Sequence, residues 1–190
     1  LNATLAAFCG AILLLGAAPA TPPPSIDRIV ADHIAALGGM TKIAAIHTVV
    51  ERGRYVEGSD QIDTYAAQMR PFYRVIGDPS RALQEIHEGY DGSAWEYYPD
   101  PGIVVRTTGA AAQAARHAAP IDDPLVAYRD HGTTLTFGGV RDVLGQRCYV
   151  LRATLYDGFR EDIFVNAQTF MIDGEERVVP MHAYGCATRR

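Results

Sequence analysis

Any chemistry in this 190-residue chain would have to come from its histidines and its paired carboxylates. His33, His47, His87, His117, His131 and His182 are the six histidines, and no two stand three or four residues apart. A helical metal pair needs that spacing to put both rings on one face, so none is predicted. His87-Glu88 begins like the zinc-protease motif, but Asp91 occupies the second histidine position and the stretch reads as strand. Acid–base work by two carboxylates requires that they share a face. Glu175 and Glu176 are neighbours on a predicted strand and point to opposite sides, so they should not share a proton. Asp122-Asp123-Pro124 reads as a helix start, and both carboxylate pairs are expected to be structural or solvated. Asp91, Glu96 and Asp100 lack the alternating-oxygen spacing of a calcium loop. "YDGSAW" misses the second glycine of a nucleophile elbow, and no phosphate loop or dinucleotide turn occurs. The sequence therefore predicts no catalytic residue, no metal and no cofactor, and it points to a binding protein rather than an enzyme.

The aromatic residues carry more information. "EGYDGSAWEYYPD", Glu88 to Asp100, places Trp95 and three tyrosines around Asp91-Gly92. An Asp-Gly pair between two strand-like runs predicts a two-residue hairpin. Trp95 and Tyr97 would point to one side of the second strand, with Ala94, Glu96 and Tyr98 on the other. Upstream, Tyr65, Ala67 and Met69 alternate with Thr64, Gln68 and Arg70, the pattern of a half-buried strand that Pro71 interrupts.

These strands need elements to position them. "SIDRIVADHIAAL" predicts a helix over Ser25–Leu37, with one apolar stripe through Ile26, Ile29, Val30, Ile34 and Leu37. Ser25 would cap it and Gly38-Gly39 end it, while His33 lies beside the stripe as a boundary residue. A short helical piece is expected at Thr41–Ile46. After about four strands, Ala110–Ala119 should be helical, and Asp123–Asp130 should add one or two further turns ended by Gly132. Four more strands follow, with a second hairpin at Asp157-Gly158. Short links of this kind make an antiparallel meander, so the expected class is mainly β with helices (α+β), a curved or barrel-like sheet.

Composition sets the outer bounds. "LAAFCGAILLLGAAPA" has the length of a signal-peptide core and ends in Ala18-Pro19-Ala20, so residues 1–20 are expected to be a cleaved export leader. Phe8 before Cys9 argues against lipidation there. Residues 21–24 form a Pro-rich spacer, 25–180 a single domain and 181–190 an irregular tail. The formal charge of -5 falls wholly outside the leader, and Lys42 is the single lysine. Scattered arginines on an acidic chain argue against nucleic acid as a partner. Cys148 and Cys186 remain after the leader. An oxidising compartment would let them pair, and two idle thiols are the alternative.

The order of elements resembles the LolA-like superfamily of periplasmic lipoprotein carriers, in its outer membrane lipoprotein-sorting protein-like branch. The resemblance rests on "IVADHIAALGGMTKIAAIHTV", "GYDGSAWEYYP", "PLVAYRDHGTTLTFGG" and "GQRCYVLRATLYDGFREDIFVNAQTF", and it covers roughly Ile29 to Val179. It implies an unclosed antiparallel barrel wrapped on helices, a hydrophobic cavity for acyl chains, a periplasmic location and a monomeric carrier of a lipoprotein acyl chain or another amphiphile. Trp95, Tyr97, Tyr65 and Met69 are the candidate cavity lining. The alternative is that they simply fill the core. Related chains continue through further strands after a segment like "RVVPMHAYG", whereas this sequence stops at "CATRR", as a C-terminal truncation would. A second function class is an envelope-stress or scaffold protein that reads a polypeptide partner through the same cleft.

Overall fold

The computed structural model describes residues 22–71, 73–78, 85–98, 101–181 and 186–189. The expected leader and Cys9 fall outside them. Helices α1 (Ile26–Ala36) and α2 (Met40–Ala44) lead into β1 (Thr48–Glu57), β2 (Asp60–Met69), β3 (Tyr73–Asp78), β4 (Glu85–Tyr90), β5 (Ala94–Tyr98) and β6 (Ile103–Arg106). Helix α3 (Gly109–Ala118) follows, and then β7 (Thr134–Val143), β8 (Gln146–Thr154), β9 (Arg160–Asn166), β10 (Ile172–Met181) and β11 (Cys186–Arg189). The strands form two antiparallel meanders, a six-stranded sheet ordered β1 to β6 and a five-stranded sheet ordered β11-β10-β9-β8-β7. This is the predicted α+β class with an unclosed sheet. The ribbon divides in two where α3 and the turns after it intervene. The strands are more numerous than the eight or so expected, and the tail predicted as irregular contains β11, which pairs with Val178–Met181.

Local signals explain α1. The Ser25 hydroxyl accepts from the Arg28 amide at 3.3 Å, and Asp27 sits in the first turn, where the helix dipole favours it. Gly38 and Gly39 have φ of +97° and +89°, and the Gly39 amide donates back to the Ile34 carbonyl, which closes the helix. The buried face of α1, Ile29 and Val30, packs with Leu125 and Tyr128 onto Leu151, Ala153, Ile163 and Val165 of β8 and β9. Five of these, Ile29, Leu125, Leu151, Ile163 and Val165, are wholly inaccessible, so the space between α1 and the five-stranded sheet is filled by the protein's own side chains.

Residues 121–132 are a chain of turns instead of the helical turns predicted from Asp123. Ala127 adopts φ +50°, a left-handed conformation that breaks a helix. What the segment does instead is tie elements together. Asp122 takes two bonds of 2.5 Å from the Arg70 guanidinium, which also donates to the Ile43 and Ile46 carbonyls at the end of α2. Asp123 turns the other way. One of its oxygens caps the Leu125 amide and the other meets His33 Nε2 at 3.0 Å.

His33, placed by sequence at the boundary of the stripe, is 1% exposed. Its Nδ1 faces the Phe170 carbonyl at 2.7 Å, so oxygen acceptors flank both ring nitrogens, an arrangement suited to the imidazolium. Burial opposes the charge, but the hydrogen bond and charge of Asp123, with the Phe170 carbonyl, outweigh it and raise the pKa above its ordinary 6.5. A raised folded-state pKa means stabilisation that is complete below pH 6.5 and lost as pH climbs through the folded value. Urea midpoints measured across that range should fall on the alkaline side. The His33→Gln protein should lack that slope, and an unchanged slope would rule out His33 as its source.

Candidate functional site

Strand register decides which side chains share a face, because directly paired antiparallel residues project the same way. Across the six-stranded sheet, Val50 pairs with Ala67, Ala67 with Val75, Val75 with Gly89, Gly89 with Trp95 and Trp95 with Arg106. In adjoining rows Tyr65 stands between Arg52 and Gly77, Met69 between Thr48 and Tyr73, and Tyr97 opposite Val104. Tyr65, Met69, Trp95 and Tyr97 thus lie on one face.

Helix α3 takes the opposite face. Its Ala112, Ala115 and the following Ala119 rest on Tyr90 and Ala94, small residues that permit close approach to the sheet. Gln68 donates to the Ala118, Ala119 and Pro120 carbonyls and so satisfies the C-terminal end of the helix. On the far side His117 stacks on Phe159 with ring centroids 4.8 Å apart, and its Nε2 lies 2.9 Å from both Asp157 oxygens. Although burial raises the Asp157 pKa, its bonds to His117, Gln113 and the Phe159 amide leave it lowered overall. Helix α3 is therefore a wedge pinned between the two sheets.

The face away from α3 keeps much of its apolar surface in water. Val50 is 57%, Val104 59% and Met69 48% exposed, while Tyr65, Trp95 and Tyr97 are half-buried. Ala67, Gly77 and Gly89 are small residues on this face, and Val75, between Ala67 and Gly89, is buried. The indole of Trp95 lies across Gly89 so closely that a Cβ there would sit 2.2 Å from Cζ2 and 2.7 Å from the Arg74 carbonyl. Gly89→Ala should force the indole off the sheet and cost about 1–3 kcal/mol, as overpacking does. Trp95 is the single tryptophan, so the emission maximum of this variant should shift. Gly174→Ala, where a methyl would meet only Phe164 at 3.7 Å, should leave the emission unchanged.

Among the described residues, three arginines border this face. Arg54 donates to Asp63 at 3.1 Å, and Arg106 donates to Asp91 at 2.8 Å and to the Ser93 hydroxyl at 2.6 Å. The bond from Arg106 holds the Asp91 carboxyl below its ordinary range. Arg52 is exposed and stacks over Tyr65, 5.9 Å from the ring centroid.

Elsewhere the polar groups read as structural. Glu175 contacts Arg177 while Glu176 contacts Arg141, in keeping with their opposite directions. Arg177 also bridges to Glu161, which desolvation and the nearby Glu175 push up in pKa. A cleft of about 360 Å³ beside them is lined by Ile172, Asp173, Gly174, Glu175 and Arg177. None of the four predicted lining residues reaches it. Among the described residues no group of three or more His, Cys, Asp or Glu is placed to hold a metal ion. Cys148 is a buried free thiol, 3.5 Å from Asp173 and pushed up to about 11 in pKa by burial first and then by Asp173. It is not in a disulfide, and the Cys186 side chain lies outside the described residues.

No family model matches the chain, and no curated protein does. Two solved structures are similar to it at low identity. One is a DUF1329 family protein from Desulfovibrio piger, with 17% identity, a TM-score of 0.43, and coverage of 80% of this chain and 73% of that one. The other is a LolA superfamily protein from Nitrosomonas europaea, with 13% identity, a TM-score of 0.41, and coverage of 72% of this chain and 64% of that one.

Proposed function

We propose that this chain is an exported binding protein that carries the acyl chains of a lipoprotein, or another amphiphile, without covalent chemistry. The observation that carries the proposal is the apolar face of the six-stranded sheet that no described element covers, with Trp95 and Tyr97 on β5, Tyr65 and Met69 on β2, and Val50 and Val104 exposed around them. An acyl chain laid on this face would gain about 0.8 kcal/mol for each methylene it buries. Its binding surface would be open, since α1 and its sheet are packed solid. The periplasm is the compartment that the leader-like residues 1–20 suggest, and no helix among the described residues is long and apolar enough to cross a membrane.

A second reading has its own support. Strand β6 ends the sheet order and exposes Ile103, Val104 and Val105, a surface to which an extended polypeptide could add as another strand. Native mass spectrometry after gentle extraction separates the two. A lipid-sized adduct, displaced by a fluorescent fatty acid, supports the carrier. A polypeptide adduct without lipid supports the scaffold, and folded protein with neither adduct nor displaceable probe contradicts both.

A further inference from the structure

On the proposed binding face, which is the premise here, the charges are unevenly satisfied. Arg54 and Arg106 are each engaged by a carboxylate, Asp63 and Asp91. Arg52 has no carboxylate partner among the described residues. It projects from the same face, directly paired with Tyr65, and its guanidinium rests on that ring. A protein of net charge -5 thus presents, among its described residues, a pre-oriented cation with no carboxylate partner beside its apolar aromatic surface. A guanidinium over a ring keeps its donor fork open and loses little freedom on pairing, which suits a planar carboxylate.

From this geometry we infer that Arg52 selects the head group, and that the ligand is a long-chain monocarboxylate whose tail crosses the strands toward Trp95. From β1 to β5 there are four interstrand steps, a span of about 19 Å at the usual spacing. That is enough for an extended fatty-acyl tail to run from Arg52 over Ala67 and Val75 to the indole, which lies across Gly89. One unpaired guanidinium matches one carboxylate. A phosphate head would call for further free cations, and the two flanking arginines are already bonded.

The test uses the full chain and stearate carrying a nitroxide near its methyl end, as free acid and as methyl ester, with quenching of Trp95 as the readout. The free acid should quench at about tenfold lower concentration than the ester, the ratio that one charge-assisted contact supplies. Arg52→Gln should abolish that preference, and Arg52→Lys should restore part of it. Equal quenching by acid and ester, or a preference that survives in Arg52→Gln, overturns the head-group assignment and leaves the carrier reading standing. Lysophosphatidic acid competing as well as stearate overturns the choice of carboxylate over phosphate. Failure of both probes to quench overturns the carrier reading and this inference together.

Discussion

Leu125→Ala is expected to lower the free energy of unfolding by about 3 kcal/mol, within the range measured for fully buried leucines. Leu125 is 0% exposed and stands where α1, the turns of residues 121–132 and the five-stranded sheet meet. The turns cannot collapse into the vacated space without pulling on Asp122 and Asp123, which anchor them to Arg70 and His33. The cavity should therefore persist, and the cost should include both lost transfer energy and lost contacts. Urea unfolding of the variant should show an earlier midpoint at unchanged slope. A loss under about 1 kcal/mol would mean that the segment is not part of the core.

Arg70→Leu is expected to cost about 2–3 kcal/mol. The bidentate pair with Asp122 and the bonds to the Ile43 and Ile46 carbonyls make Arg70 the connection between β2, α2 and the turns. Both side chains of the pair remain partly exposed, at 27% and 20%, so the cost stays below that of a deeply buried ion pair. Asp122→Asn alone should cost less, because it keeps one acceptor and leaves the two carbonyl bonds intact. A double-mutant cycle on thermal unfolding should return a coupling of about 1 kcal/mol or more between residues 70 and 122. Strict additivity would show that the contact contributes nothing.

Elements whose signals are local were legible in the sequence. Ser25, the apolar stripe and Gly38-Gly39 mark α1 to within a residue, and strand alternation placed Trp95 with Tyr97 and Tyr65 with Met69. Turn lengths were less so. Asp91-Gly92 reads as a two-residue turn, yet Tyr90 pairs with Ala94 across three residues, because the Asp91 carboxylate bonds to Ser93 and Arg106. A true two-residue turn lies at Leu144-Gly145, where a leucine 93% exposed takes φ +50° and Asp142 accepts from the Gly145 amide. Nothing about a leucine announces that conformation. Strand β6, four residues long, has too little alternation to be recognised and exists through its pairing with β5. Most important for function, periodicity tells which side chains share a face but not which face a helix will cover. Tyr90 and Trp95 look equally apt to lie beneath α3, and the structure gives that place to Tyr90.

The measurement that bears most directly on this account is photo-crosslinking with a diazirine-bearing fatty acid, mapped by peptide mass spectrometry on the intact chain. Adducts should fall on β2 and β5, on Tyr65, Met69, Trp95 and Tyr97, and spare α1 and α3. Saturable labelling concentrated on either helix, or on Tyr90 and Ala94 beneath α3, would mean that the outward aromatic surface is not where oily ligands rest.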